Sequence, residues 1–245
     1  TLHNEDEIKR KDIRVGDTVL VRRAGDVIPE IVKVVESMRT GRESLFQSTG
    51  ACLVRGAPVA PLQGAPLPRC VHAACPPQIK GRIKHFVSRG AFDIDGLGDK
   101  LVDQLVDQEL VRSFADIFQL DRSTLEQLER MGPKSAENLM TAIEASRTVD
   151  FDSFLYALGI RFVGEHVASL LAGAFDDIET LMAADREELG AIDGIGPVAA
   201  ESVVRFFENP RNREGLRRLQ ENGVVIRFRP RDETIGPSPV QNRIF

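Results

Sequence analysis

Four times between Asp95 and Pro197 the chain brings a short hairpin, usually with glycine, to the start of an apolar-periodic helix. The segments are residues 94–105 (IDGLGDKLVDQL), 128–139 (LERMGPKSAENL), 158–171 (LGIRFVGEHVASLL) and 192–206 (IDGIGPVAAESVVRF). Glycine lets a chain turn at positive φ and lets another molecule come close to the backbone. The first turn of the following helix has N–H groups without intrahelical partners and the positive end of the helix dipole, a combination that favours an anion. A single such turn is also what any helical bundle uses to end one helix and start the next. Four in series, roughly thirty residues apart, fit the spaced phosphates of a nucleic acid better.

The four segments resemble the helix-hairpin-helix motif, which grips DNA without reading its sequence. Gly96 with Gly98, and Gly194 with Gly196, keep both hairpin glycines. The second unit has Arg130 where the first glycine would stand and keeps only Gly132, and the third, running from Gly159 to Gly164, reads as a longer hairpin. Candidate contacts to phosphate are the backbones of Gly96, Gly98, Gly132, Gly164, Gly194 and Gly196, with Lys100, Lys134 and Arg161 as helpers. Leu101, Leu105, Leu125, Leu139, Leu155, Leu170, Val203 and Phe206 carry the helical period and are expected in the core. Tyr156 is expected to pack there too, and His166 to be exposed.

A formal net charge of −5 opposes this reading, because phosphate neutralisation supplies most non-specific affinity. Binding then requires backbone amides and local groups of cations. Candidate groups are Arg22 with Arg23, the stretch from Lys80 to Arg89, and Arg211, Arg213, Arg217 and Arg218. No apolar run approaches a membrane span, and nothing at the N-terminus resembles a signal peptide. Three cysteines are too few for a disulfide scaffold, so a reducing cytoplasm is expected; the chain is also expected to be a monomer. The chain begins at Thr1 without methionine and reads as a fragment.

Residues 18–23 (TVLVRR) and 31–35 (IVKVV) are rich in branched residues around a turn at Ala24-Gly25-Asp26, so the start of the chain is expected to be β-rich, with too few strands for a closed barrel. Residues 56–68 (GAPVAPLQGAPLP) are expected to hold no regular structure. Helical periodicity begins near Ile83 and ends near Asn222, and one short strand-like run follows before a polar, proline-containing tail.

Residues 1–29 (TLHNEDEIKRKDIRVGDTVLVRRAGDVIP), then HFVSRGAFDIDGLGDK, LERMGPKSAENL and FLYALGIRFVGE, closely resemble the bacterial NAD+-dependent DNA ligases, in the order those proteins have them. The resemblance implies a multidomain chain: a partial oligonucleotide-binding (OB) barrel in 1–47, incomplete at its N-terminus, and a degenerate zinc-finger-like segment in 48–80. An all-α tandem helix-hairpin-helix bundle in 81–222 follows, then a linker in 223–245 toward a BRCT domain. It implies nicked duplex DNA as partner, together with the adenylation domain of the same full-length chain. Arg22, Arg23, Val27 and Ile28 match the part of the OB module that faces DNA, with Arg23 on phosphate and Val27 and Ile28 apolar enough to enter a widened minor groove; barrel core is the competing reading for those two. The family's adenylated lysine lies in a Lys-x-Asp-Gly motif, and this sequence has none, so the chain alone is expected to be inactive. NAD+ and Mg2+ are expected in the full-length enzyme, not on this chain. The alternative is a free-standing DNA-binding module without sequence preference or ligase activity, and a further one is a protein-interaction scaffold.

The family's finger has two cysteine pairs around zinc. Here Cys52 is followed by Arg55 where its partner is expected, and Cys70 and Cys75 make the second pair. Three thiolates fall short of the four of a structural zinc site. His72 is two residues from Cys70, a strained place for a replacement ligand. The expectation leans to a segment that folds without metal; if zinc binds, Cys52, Cys70 and Cys75 are its ligands.

Overall fold

The computed structural model describes residue 2 and residues 4–24, 28–47, 49–60, 69–70, 72 and 75–228. It divides into two compact units, Thr1–Cys75 and Pro76–Phe245.

The first unit opens with α1 (Glu5–Arg10), whose Asn4 cap accepts the Asp6 N–H at 2.9 Å and whose acidic first turn and basic last turn suit the helix dipole. It continues through β1 (Arg14–Val15), β2 (Val19–Ala24), β3 (Ile28–Val34), a 3-10 turn (Glu36–Met38) and β4 (Ser44–Leu45). β2 and β3 form an antiparallel ribbon with Val19 opposite Val34 and Arg22 opposite Glu30, and β1 pairs antiparallel with β4. An irregularity between Leu20 and Val21 shifts the ribbon register. Among the described residues of this unit Ile8 and Cys75 are the buried apolar side chains, and a polar clamp joins its loops. The Arg39 guanidinium grips Asp17 through two bonds, of 2.7 and 2.9 Å, and reaches the Asp12 carboxylate at 2.8 Å. The Arg14 N–H also donates to Asp17, at 2.8 Å.

One expectation needs correction in this unit. β5 (Val59–Ala60) lies inside the Pro/Ala-rich stretch and pairs antiparallel with β6 (Arg69–Cys70), with Val59 opposite Cys70. Proline removes a donor only at its own position. Val59, between Pro58 and Pro61, keeps its N–H and donates it to Gly50 O at 3.1 Å. Two residues per strand leave no periodic signal to read.

The second unit starts at α2 (Pro76–Phe86) and proceeds through α3 (Asp99–Asp107), a 3-10 helix (Phe114–Gln119), α4 (Arg122–Glu126), α5 (Pro133–Ala145), β7 (Thr148–Asp150) and α6 (Phe151–Ala157). α7 (Glu165–Ala174), α8 (Ile178–Ala183), α9 (Arg186–Gly190), α10 (Pro197–Glu208), α11 (Pro210–Glu221) and β8 (Val225–Arg227) complete it. One apolar core runs from Ile83 to Val224. Among the residues expected in it, Leu101, Leu105, Leu125, Leu139, Leu155 and Val203 are buried, while Leu170, Phe206 and Tyr156 are half-buried against it. Phe86 stacks on Phe92 and Phe114 with ring centroids 4.1 and 5.0 Å apart.

The unit is wider than the 81–222 span read from the sequence. Pro76 suits a first helical position, where its missing N–H costs nothing, and β8 returns to pair in parallel with β7. Asn222 ties α11 to the 3-10 helix by donating to Ala115 O at 2.8 Å, and Arg218 meets Asp116 at 2.6 Å.

Candidate nucleic-acid interface

The four hairpins are one five-residue device. They run 94–98, 128–132, 160–164 and 192–196, and in each the fourth residue's N–H donates to the first residue's carbonyl. The bonds are Leu97 to Ile94 (3.2 Å), Met131 to Leu128 (3.2 Å), Val163 to Ile160 (3.0 Å) and Ile195 to Ile192 (3.0 Å). The third residue is left-handed every time: Gly96 at φ 83°, Arg130 at 64°, Phe162 at 63° and Gly194 at 88°. First and fourth residues are apolar and turned to the core, so burial fixes each hairpin from beneath. The third hairpin is therefore no longer than the others. Phe162 occupies the position filled by glycine in the first and last, a substitution hard to foresee because bulky residues seldom adopt that conformation.

The fifth residue of each device is glycine. Gly98, Gly132, Gly164 and Gly196 are the N-caps of α3, α5, α7 and α10, all in extended backbone and all without a side-chain cap. Five other helices are capped conventionally: Asn4, Asp121, Asp177, Asp185 and Asn209 each accept a backbone N–H from the first turn of their own helix. A Cβ added at Gly98, Gly132, Gly164 or Gly196 would meet nothing within 4 Å. Neither conformation nor internal packing requires glycine there. The arrangement leaves four exposed helix starts with first-turn N–H groups and room for an external anion. In α5 and α10 these groups begin at Lys134 and Val198, because Pro133 and Pro197 carry none. Gly194 differs, since a Cβ on it would stand 2.8 Å from Leu170 Cδ1.

The devices work in pairs. In the first pair Gln104 of α3 reaches the second hairpin, where its carbonyl oxygen accepts the Glu129 N–H at 3.1 Å and its amide faces Glu129 O at 3.4 Å. The two hairpins frame an open cleft of about 620 Å3 whose lining includes Gly96, Lys100, Gln104, Arg130, Ser135 and Asn138. Arg130, which was not among the expected contacts, is 84% exposed here. In the second pair the fourth hairpin packs on Leu170 and His166 of α7.

Cations at the hairpins thin out along the chain. Two residues beyond the N-cap glycine stand Lys100, Lys134, His166 and Val198, all exposed. Lys100 and Lys134 make no salt bridge among the described residues. Arg161 is half-buried with its guanidinium 4.7 Å from the centroid of the exposed Phe162 ring. Several other basic candidates are engaged internally: Lys80 with Asp107 at 2.7 Å, Lys84 with Asp103 at 3.0 Å, Arg217 with Glu214 and Glu221, and Arg218 with Asp116. His85 is turned inward, donating from Nε2 to Tyr156 O at 2.7 Å.

On the ribbon of the first unit, Arg22 is held across the strands by Glu30 at 2.9 Å, whereas Arg23 is exposed opposite Pro29. Ile28 is 56% exposed in this structure. Val27 lies outside the described residues.

Cys52, Cys70 and Cys75 come together, with their three sulfurs within 4.8 Å of one another and Cys52 Sγ 3.8 Å from Cys75 Sγ. Cys52 begins a tight loop closed by 2.7 Å bonds from Gly56 N–H to Cys52 O and from Cys52 N–H to Ala57 O, with Gly56 at φ 64°. The N–H groups of Val54 and Arg55 donate to the Cys52 sulfur and hold its thiol down at about 7, while burial pushes the Cys75 thiol up. Three gathered sulfurs could hold a metal ion and fit three corners of the tetrahedron zinc takes. His72 is exposed and outside this cluster.

Comparison with known proteins follows the same division. Residues 1–43 match the NAD-dependent DNA ligase OB-fold domain, 90–145 a SAM-like helix-hairpin-helix tandem and 153–216 a helix-hairpin-helix motif. The last two ranges are the two hairpin pairs. The chain is 58% identical over all its length to a DNA ligase of Desulfosudis oleivorans, covering 36% of that protein. It is 50% identical over all its length to one of Syntrophus aciditrophicus, again 36% of the relative, and 48% identical over 91% of its length to one of Geobacter sulfurreducens, 33% of the relative. The chain thus spans about a third of the length of these relatives. No helix among the described residues is long and apolar enough to cross a membrane.

Proposed function

We propose, for a chain that belongs with the NAD-dependent DNA ligases over their OB-fold and helix-hairpin-helix portion, that it forms the part of such an enzyme that grips DNA. Its substrate is nicked duplex DNA with 3′-hydroxyl and 5′-phosphate ends, in replication and repair, and its setting the bacterial cytoplasm. The observation that carries this reading is the set of four N-cap glycines whose missing side chains serve nothing inside the protein. Phosphates seat on the N–H groups after Gly98, Gly132, Gly164 and Gly196, with Lys100, Lys134, Arg130 and Arg161 adding charge. Gly96 and Gly194 shape the hairpins that present those N–H groups.

Arg23 and Ile28 are proposed to meet the duplex from the ribbon, with Arg22 held back by Glu30. Adenylation, NAD+ and Mg2+ belong to the part of the relatives' length that this chain does not span. The isolated chain is expected to take no AMP from NAD+, and radiolabelled AMP on it would overturn that.

The test is binding of the purified chain to nicked and intact duplexes of one sequence across a salt series. Tighter binding to the nick supports a ligase grip. Equal, salt-sensitive binding supports only the hairpin grip, and no binding at low salt rejects both.

A further inference from the structure

We propose that the second hairpin pair meets DNA through apolar contact where the first pair uses charge. Phe162 of the third hairpin and Val198 at the start of α10 press on the C–H faces of the deoxyriboses beside the seated phosphates. This division of labour rests on the DNA-gripping reading and adds to it a part of the affinity that salt does not screen.

The two pairs share one backbone device and differ in what it exposes. In the first pair the left-handed third residues are Gly96 and Arg130, and the residues two beyond the caps are Lys100 and Lys134. In the second pair the same places hold Phe162 and Gly194, then His166 and Val198. Phe162 is 46% exposed and Val198 58% exposed. Neither can offer a phosphate a charge or a side-chain hydrogen bond.

Phe162 also holds a conformation that is costly for a bulky residue. At φ 63° it stands where the first and last hairpins have glycine, which takes that conformation freely. Backbone strain of this kind collects at sites that clamp a ligand. The Arg161 guanidinium, 4.7 Å from the ring centroid, supports the ring from its own hairpin.

The distance along the chain selects the occupant. Phe162 precedes the cap Gly164 by two residues and Val198 follows the cap Gly196 by two, about 7 Å of chain at most. Val198 also carries the first N–H of α10, so its side chain stands beside any anion seated there. A phosphate within a strand has a deoxyribose on either side, whose C–H face is the apolar surface nearest to it. Covering that face with a ring or a branched side chain releases water from both, and apolar side chains pressed against nucleotides are a recurrent device of minor-groove binding.

The experiment is binding of the parent chain, Phe162→Gly, Phe162→Leu and Val198→Ala to one nicked duplex across a salt series, with thermal unfolding of each. Phe162→Gly is expected to bind roughly tenfold more weakly at every salt concentration. Its plot of log affinity against log salt should keep the parent's slope, and its melting temperature should be no lower than the parent's. Phe162→Leu, which keeps an apolar group, should stay within about threefold of the parent. Val198→Ala, on an exposed helix start with little bearing on folding, should lose about threefold at an unchanged slope. Parental affinity in Phe162→Gly or in Val198→Ala overturns the proposal. So does a flattened slope in Phe162→Gly, which would make the ring a support for the Arg161 charge. A parent chain that binds no duplex would instead overturn the DNA-gripping reading itself, so the two failures are told apart.

Discussion

At Gly98 the backbone sits at φ −76° and ψ 172°, which any residue adopts, and a methyl group there would touch nothing in the protein. Gly98→Ala and Gly196→Ala should therefore change folding stability by less than about 1 kcal/mol. The same changes should weaken duplex binding roughly tenfold each, since a charge-assisted hydrogen bond is worth about 1.5–3 kcal/mol. Thermal unfolding and binding isotherms of the same variants check both halves. Gly194→Ala should behave oppositely and destabilise by about 1–2 kcal/mol, because φ is 88° and its methyl would crowd Leu170. In the sequence Gly194 and Gly196 look alike; only the dihedrals and the empty space beside one of them separate turn-making from access. Arg130 holds the conformation that Gly96 holds, at the cost a side chain incurs there. Arg130→Gly is expected to stabilise the unit by about 1 kcal/mol in chemical denaturation while weakening DNA binding.

The elements themselves were legible to different degrees. Helices α3, α5, α7 and α10 were visible because their apolar spacing repeats after each hairpin. Half of the β7–β8 pair was: the strand-like run after Asn222 is β8 (Val225–Arg227), whereas Thr148–Asp150 is too short for a period and lies far from its partner in the chain. The cysteine cluster was half legible: the residue types were visible, but gathering Cys52 with Cys75 needed the Gly56 turn. The clamp on Asp17 was hidden for a similar reason, as Arg39 is distant in sequence. That clamp sets an acid limit on the first unit. The Arg39 guanidinium and the Arg14 N–H hold the Asp17 carboxyl at about 2, below the roughly 3.9 of an unfolded aspartate. A depressed carboxyl contributes stability that is full above the unfolded value and lost as pH falls toward 2. Asp17→Asn should lower the denaturation midpoint of this unit at neutral pH, and its difference from the parent chain should vanish near pH 2.

Across the whole molecule, an excess of acidic over basic residues leaves little room for a grip built on bulk charge. Ion pairs inside the protein occupy Lys80, Lys84, Arg217 and Arg218, so the salt dependence of binding should rest on few cations. Lys100→Gln combined with Lys134→Gln should flatten the plot of log affinity against log salt by about 2, close to one for each phosphate contact removed. An unchanged slope would move these lysines off the interface. The uncapped helix starts have a consequence for how such a surface can be damaged. A donor carried by the main chain survives every substitution except proline, so truncating Lys100, Lys134 or Arg130 removes a charge and leaves the N–H groups in place. The N–H groups themselves are lost to added bulk or to proline, and a genetic screen should find such changes where wild-type carries no side chain at all.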